Sequence, residues 1–89
     1  MQTNSEFTKN DKEITIGRTS DNTIRIKSQA LSRTQCKFEC TENGWMICDG
    51  NGIKKSTNGT WLYVDDPFEM YDSMLLKAGD LLFKVYLGN

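Results

Sequence analysis

Eighty-nine residues with eleven Lys and Arg against twelve Asp and Glu carry a net charge of −1. That length suits one small domain, near the size at which a single core just suffices, and the charge balance excludes a global field demanding nucleic acid or an anionic membrane. No run reaches membrane-spanning length, the segment Met1-Gln2-Thr3-Asn4-Ser5 lacks the apolar centre of a signal peptide, and the absence of histidine removes both an imidazole base and a histidine zinc ligand.

In chain order the pattern is one of short strands. Ile14 and Ile16 alternate with Thr15, then Ile24 and Ile26 with Thr23, Arg25 and Lys27. Cys36, Phe38 and Cys40 alternate with Lys37 and Glu39, the signature of a half-buried strand. The stretch from Pro67 to Leu76 reads as loop then strand, and Leu81 to Leu87 alternates with 81, 83, 85 and 87 inward. Turn residues separate these runs at Asp21-Asn22, Glu42-Asn43-Gly44, Asp49-Gly50-Asn51-Gly52, Asn58-Gly59 and Ala78-Gly79-Asp80. No segment has a 3.6-residue apolar period, so the alternation and turn spacing predict an all-β sandwich. Trp45 and Trp61 are expected in its core. Cys36 and Cys40 would lie about 13 Å apart on one extended strand, too far to bridge, and the three cysteines are expected to be reduced thiols, mostly buried, in an intracellular protein, nuclear or cytoplasmic.

The charge is unevenly spread. Residues 1–55 hold nine Lys and Arg against seven Asp and Glu, and residues 56–89 hold two against five. Arg18, Arg33, Lys54 and Lys55 lie in or beside three turn-prone segments, Gly17-Arg18, Leu31-Ser32-Arg33 and Ser56-Thr57-Asn58-Gly59-Thr60. Two guanidinium groups, several hydroxyls and an amide suit the capture of a phosphate dianion through charge-assisted hydrogen bonds. Each segment also has a plainer reading. Arg18 fits a surface arginine after a bulge glycine, Ser32-Arg33 a polar loop, Asn58-Gly59 a type I′ hairpin turn, and Lys54-Lys55 a solvated pair. No hydroxyl or thiol sits beside a base, which excludes an obvious nucleophilic or acid–base set and reads as binding, with no cofactor or metal required.

The order and spacing of Ile16-Gly17-Arg18, Asn22-Thr23-Ile24, Leu31-Ser32-Arg33, Cys36-Lys37-Phe38, Trp45-Met46-Ile47-Cys48-Asp49, Ser56-Thr57-Asn58-Gly59-Thr60-Trp61 and Leu76-Lys77-Ala78-Gly79-Asp80 resemble the forkhead-associated (FHA) domain. The likeness runs from about Glu13 to Leu87 within a single domain over 1–89. It implies a sandwich of two antiparallel or mixed twisted sheets, about eleven short strands, and loops at one end that bind phosphothreonine. The first strand would be a shortened one at Glu6-Phe7-Thr8, or else the chain is a piece of a larger protein. By resemblance Arg18, Ser32, Arg33 and Thr57 would contact phosphate and Asn58 the peptide backbone, with Gly17, Gln35 and Gly59 shaping the loops; Gly17 would let the chain turn. The family's Ser-Arg-X-His motif stands here as Ser32-Arg33-Thr34-Gln35. Gln35, with donor and acceptor in one side chain, could imitate part of a loop-tying histidine.

These residues imply a monomeric module that recognises a phosphothreonine-containing protein or peptide, without nucleic acid or membrane, for phosphorylation-dependent assembly. The alternative is an FHA-like domain that meets its partner through a sandwich face independently of phosphate. A β nucleic-acid binder would want basic and aromatic residues interleaved on one face, and only Lys37 beside Phe38 hints at that.

Overall fold

The computed structural model describes residues 5–88. Six strands form among them: β1 (Glu13–Gly17), β2 (Ile24–Arg25), β3 (Cys36–Thr41), β4 (Gly44–Asp49), β5 (Met74–Ala78) and β6 (Leu81–Val85). The first four make a sheet in the order β2-β1-β3-β4, parallel between β1 and β2 and antiparallel elsewhere, and β5 and β6 make an antiparallel hairpin. The architecture is all-β with two sheets, one of them mixed, and no α-helix among the described residues.

Register explains which side is apolar. Ile14 faces Phe38, which faces Ile47; Ile16 faces Cys36, which faces Asp49; Cys40 faces Trp45. Directly paired residues share a sheet face, so the alternating hydrophobes of β1, β3 and β4 gather on one side, with Ile14 and Cys36 buried. On the other side Thr15 faces Lys37 and Glu13 faces Glu39, and the Lys37 ammonium meets the Glu39 carboxylate at 2.6 Å. A carboxylate, Asp49, therefore ends β4 on the apolar side, beside the loops.

Three expectations are revised. The segment Glu6-Phe7-Thr8 forms no strand. Thr8 instead caps a 3₁₀ turn at Lys9–Asp11: Asn10 N–H donates to Thr8 Oγ1 (3.3 Å), and Thr8 N–H donates to Asp11 Oδ2 (2.7 Å). Phe7 still docks, its ring edge-on to Phe38 at 6.0 Å. Six strands form in place of about eleven, because residues 50–73 run without a ladder. Backbone donors there bond to side chains, as when Ile53 and Lys54 N–H both donate to Asn51 Oδ1, and such local bonds compete with sheet pairing.

The third revision concerns the core. Trp45 and Trp61 are 42% and 36% exposed, not buried, and on β6 the expected inward positions Leu81, Phe83 and Leu87 stay open while Val85 is half-buried. No second layer covers the faces of this two-stranded hairpin at Leu81, Leu82 and Phe83. Met74 alone of its side chains is buried. The well-packed part of the molecule is β1–β3, and this part carries the loops of interest.

Candidate functional site

Gly17-Arg18 leaves β1, Leu31-Ser32-Arg33 precedes β3, and Ser56 to Thr60 follows β4, so sheet order brings three distant segments to one end. Arg18, Ser32, Arg33, Thr57 and Asn58 all line a single groove of about 650 Å³. Lys54 and Lys55 stand on its wall, with Ala30 and Leu31 beside them. Leu31 is half-buried there.

Backbone bonds close the first two segments together. Arg18 N–H donates to Ser32 O (3.1 Å) and Gln35 N–H to Ile16 O (2.7 Å). The Arg18 Nε–H donates to Leu31 O (3.2 Å), anchoring the guanidinium by one of its donors. The expectation that Gly17 serves a turn is corrected: it has no positive φ, and a Cβ there would overlap the Arg33 carbonyl and crowd Asn22. Its value is the space it leaves.

The Arg33 carbonyl is held by two donors. Asn22 Nδ2 donates to it at 2.6 Å and Thr19 N–H at 3.5 Å, with the Thr19 hydroxyl 3.2 Å away. Asn22 also donates to Thr19 O at 2.9 Å and is buried, so this amide fastens the Arg33 loop to the β1–β2 turn. Thr19 Oγ1 donates to Asp21, on the groove rim, and chiefly this hydroxyl holds the Asp21 carboxyl below its usual range.

The third segment is tied by side chains. Gln35 Oε1 accepts from Ser32 N–H (3.0 Å), while its Nε2 donates to Gly59 O (2.8 Å) and Thr60 Oγ1 (3.2 Å). One amide thus bridges the two loops, as its mixed donor and acceptor character allows. Thr57 N–H donates to Ser32 Oγ (2.9 Å), and the two hydroxyls lie 3.4 Å apart. Gly59 has φ +81°, and a Cβ there would crowd the Trp61 indole. Asn58 has no positive φ and no strand flanks the pair, so Asn58-Gly59 is a loop bend and not a type I′ hairpin turn. Trp61 Nε1 donates to Asn58 O at 2.9 Å, which fixes that bend from outside.

Asp49 is the anchor that reasoning from sequence missed. Its carboxylate accepts from Ser56 Oγ (2.6 Å), Thr60 Oγ1 (2.7 Å) and Ser56 N–H (3.1 Å), and Ser56 Oγ accepts from Gly59 N–H (3.0 Å). Burial pushes this carboxyl up, but the Ser56 and Thr60 donors and the Lys55 charge outweigh it and hold it below its usual range. The available signal was its place in Trp45, Ile47, Asp49, an acid at an inward strand position. Asn22 is expected from its position only as a turn residue, although it begins the Asn22-Thr23-Ile24 motif.

Electrostatically the groove lining is basic, with Arg18, Arg33, Lys54 and Lys55 against Asp21. Among the described residues the ion pair found is Lys37–Glu39, so Arg18, Arg33, Lys54 and Lys55 have no carboxylate within pairing distance. Guanidinium and ammonium groups around hydroxyls and loop amides have the donor chemistry that a tetrahedral dianion requires. Nothing in the groove offers an activated nucleophile, and among the described residues no group of three or more metal-ligating side chains occurs.

Comparison with known families returns one that covers this arrangement: the FHA domain model matches residues 14–82, from β1 through the start of β6. No curated protein and no solved structure matches the chain. The family's fold is a β-sandwich, and its members are protein-interaction modules associated with phosphopeptide binding, not enzymes. A match over most of the chain, with the matching loops gathered around one basic groove, places this protein in the FHA-domain family.

Proposed function

We propose that the loop end captures phosphothreonine in an extended peptide of a partner protein, for phosphorylation-dependent assembly in intracellular signalling. The observation that carries this reading is the convergence of Arg18, Ser32, Arg33, Thr57 and Asn58 on one groove. Arg18 gives the phosphate a planar pair of donors and Arg33 adds a second positive charge. The Ser32 and Thr57 hydroxyls take remaining oxygens, and the Asn58 amide serves the peptide backbone, where both a donor and an acceptor are needed.

Calorimetry with matched phosphorylated and unphosphorylated threonine peptides from an oriented library tests it. Only the phosphorylated form should bind, and Arg18→Ala should cost about 2–4 kcal/mol by removing charge-assisted bonds. Arg18→Lys should recover part of that. Phosphothreonine should exceed phosphoserine about fourfold, the worth of one buried methyl group. Equal affinity of wild type and Arg18→Ala would remove the site assignment. The exposed apolar side chains of β6, Leu81, Leu82 and Phe83, favour a second reading, docking through a sandwich face; equal binding of both peptide forms would select it.

A further inference from the structure

Next to the first groove lies a second, of about 410 Å³, that shares Arg18 and Gln29 with it. Its other walls include Arg25 and Lys27 and the hydroxyl residues Thr19, Ser20 and Ser28. No carboxylate lines it, and among the described residues neither Arg25 nor Lys27 has an ion-pair partner. We infer that this second groove takes a second anionic side chain, acidic or phosphorylated, of the same peptide whose phosphothreonine occupies the first.

The groove is built by hydrogen bonds, not by chance proximity. Arg25 Nε–H donates to Arg18 O at 3.1 Å, which holds the Arg25 guanidinium against the chain at Arg18. Ile26 N–H donates to Gly17 O (2.9 Å), Ser28 N–H to Ile26 O (2.8 Å) and Leu31 N–H to Ser28 O (3.1 Å). These turns fold residues 26–31 back so that Lys27 and Ser28 meet the Arg18 segment. The β2 strand is an edge, paired only with β1, so this wall is open to a ligand.

The energetics favour an anion on the same peptide over a free one. Arg25 and Lys27 are exposed, and an exposed pair with a carboxylate is worth little in water. Such a site would not hold a separate ion usefully. Once the phosphothreonine is seated, a tethered acid reaches the shared Arg18 wall at high effective concentration, and the weak pairing becomes a gain in affinity and selectivity. The ligand class is thus a phosphothreonine peptide with a second negative charge close in sequence, an inference that rests on the phosphate reading of the first groove.

The test is an acid scan by fluorescence polarisation. A reference phosphothreonine peptide with neutral flanks is compared with versions carrying Glu, or phosphoserine, at one flanking position at a time. Glu at one or two neighbouring positions should tighten binding about three- to tenfold, the scale of one or two exposed ion pairs, and phosphoserine should exceed Glu. The gain should shrink in high salt. The readout on variants is the ratio of acidic to neutral peptide affinity, which should fall towards one in Arg25→Gln and in Lys27→Gln. Lys27 lies on an exposed turn and makes no side-chain hydrogen bond among the described residues, so its variant keeps the test valid if Arg25→Gln unfolds. A ratio near one at every position in wild type overturns the inference, as does a gain that survives both substitutions. Failure of the neutral-flank reference peptide to bind marks instead the failure of the first groove's reading, and removes the inference with it.

Discussion

Replacing Gln35 by alanine probes the site without touching a positive charge. The side chain makes three hydrogen bonds, to Ser32 N–H, Gly59 O and Thr60 Oγ1, all partly buried. Three neutral bonds are worth about 3 kcal/mol together at about 1 kcal/mol each. Freeing a glutamine side chain returns about 1.5 kcal/mol of rotamer entropy, so the net loss is about 1–2 kcal/mol. For a domain of 89 residues this lowers the melting temperature by about 5–10 °C. Phosphopeptide affinity should fall about three- to tenfold, because the ligand must now order loops that were ordered in advance. Gln35→His keeps one donor and one acceptor and should fall between wild type and Gln35→Ala. Gln35→Glu keeps the acceptor for Ser32 N–H but faces the Gly59 carbonyl with no donor and adds negative charge, so its affinity loss should exceed its stability loss and vary with salt. Calorimetric melting and peptide titration of the series decide the matter. If Gln35→Ala equals wild type in both, the bridge contributes nothing and the loops are held by Asp49 and the Ser32–Thr57 bond.

Gly17→Ala should destabilise by about 1–3 kcal/mol, since its Cβ must displace the Arg33 carbonyl, and chemical denaturation measures this. The Asp49 carboxyl has a folded value below its ordinary 3.8, so it stabilises the fold above that value, and the contribution is lost as pH falls through the lower, folded one. Acid titration of stability should therefore show a fall below about pH 4 that Asp49→Asn reduces, Asp21 supplying part of the remainder. Burial, aided by the Asp49 charge, raises the Cys36 thiol, whereas Cys40 and Cys48 are only half-buried. Iodoacetamide on the native protein should label Cys40 and Cys48 before Cys36, as read by mass spectrometry; equal rates would contradict the burial of β3.

What was legible in the sequence was local. Alternation at Ile14, Ile16, Cys36, Phe38 and Cys40 encoded the β1–β3 face, and Asn43-Gly44 and Gly79-Asp80 marked real turns, because period and turn chemistry act over a few residues. The spacing of three motifs singled out Arg18, Ser32, Arg33, Thr57 and Asn58 as candidates, and these five line one groove. The ties that hold them were not legible. Asn22 reaches Arg33, and Asp49 reaches Thr60, across eleven positions, with partners that no periodicity selects. Trp45 and Trp61 failed as core markers because an aromatic is buried only where another layer covers it, and that depends on how residues 50–73 pair.

Because Gln35 and Asp49 secure residues 56–60 through side chains while β3 and β4 are joined by a backbone ladder, the two regions need not open together. The amides of Thr57 and Gly59, bonded to serine hydroxyls, can exchange with solvent in brief local openings that leave the ladder intact, while those of Glu39 and Met46, paired across β3 and β4, wait for rarer, larger events. Deuterium uptake would then resolve the molecule into a fast rim and a slow sheet. An occupied groove would be visible as protection confined to the rim, a footprint of binding that requires no displacement of any strand.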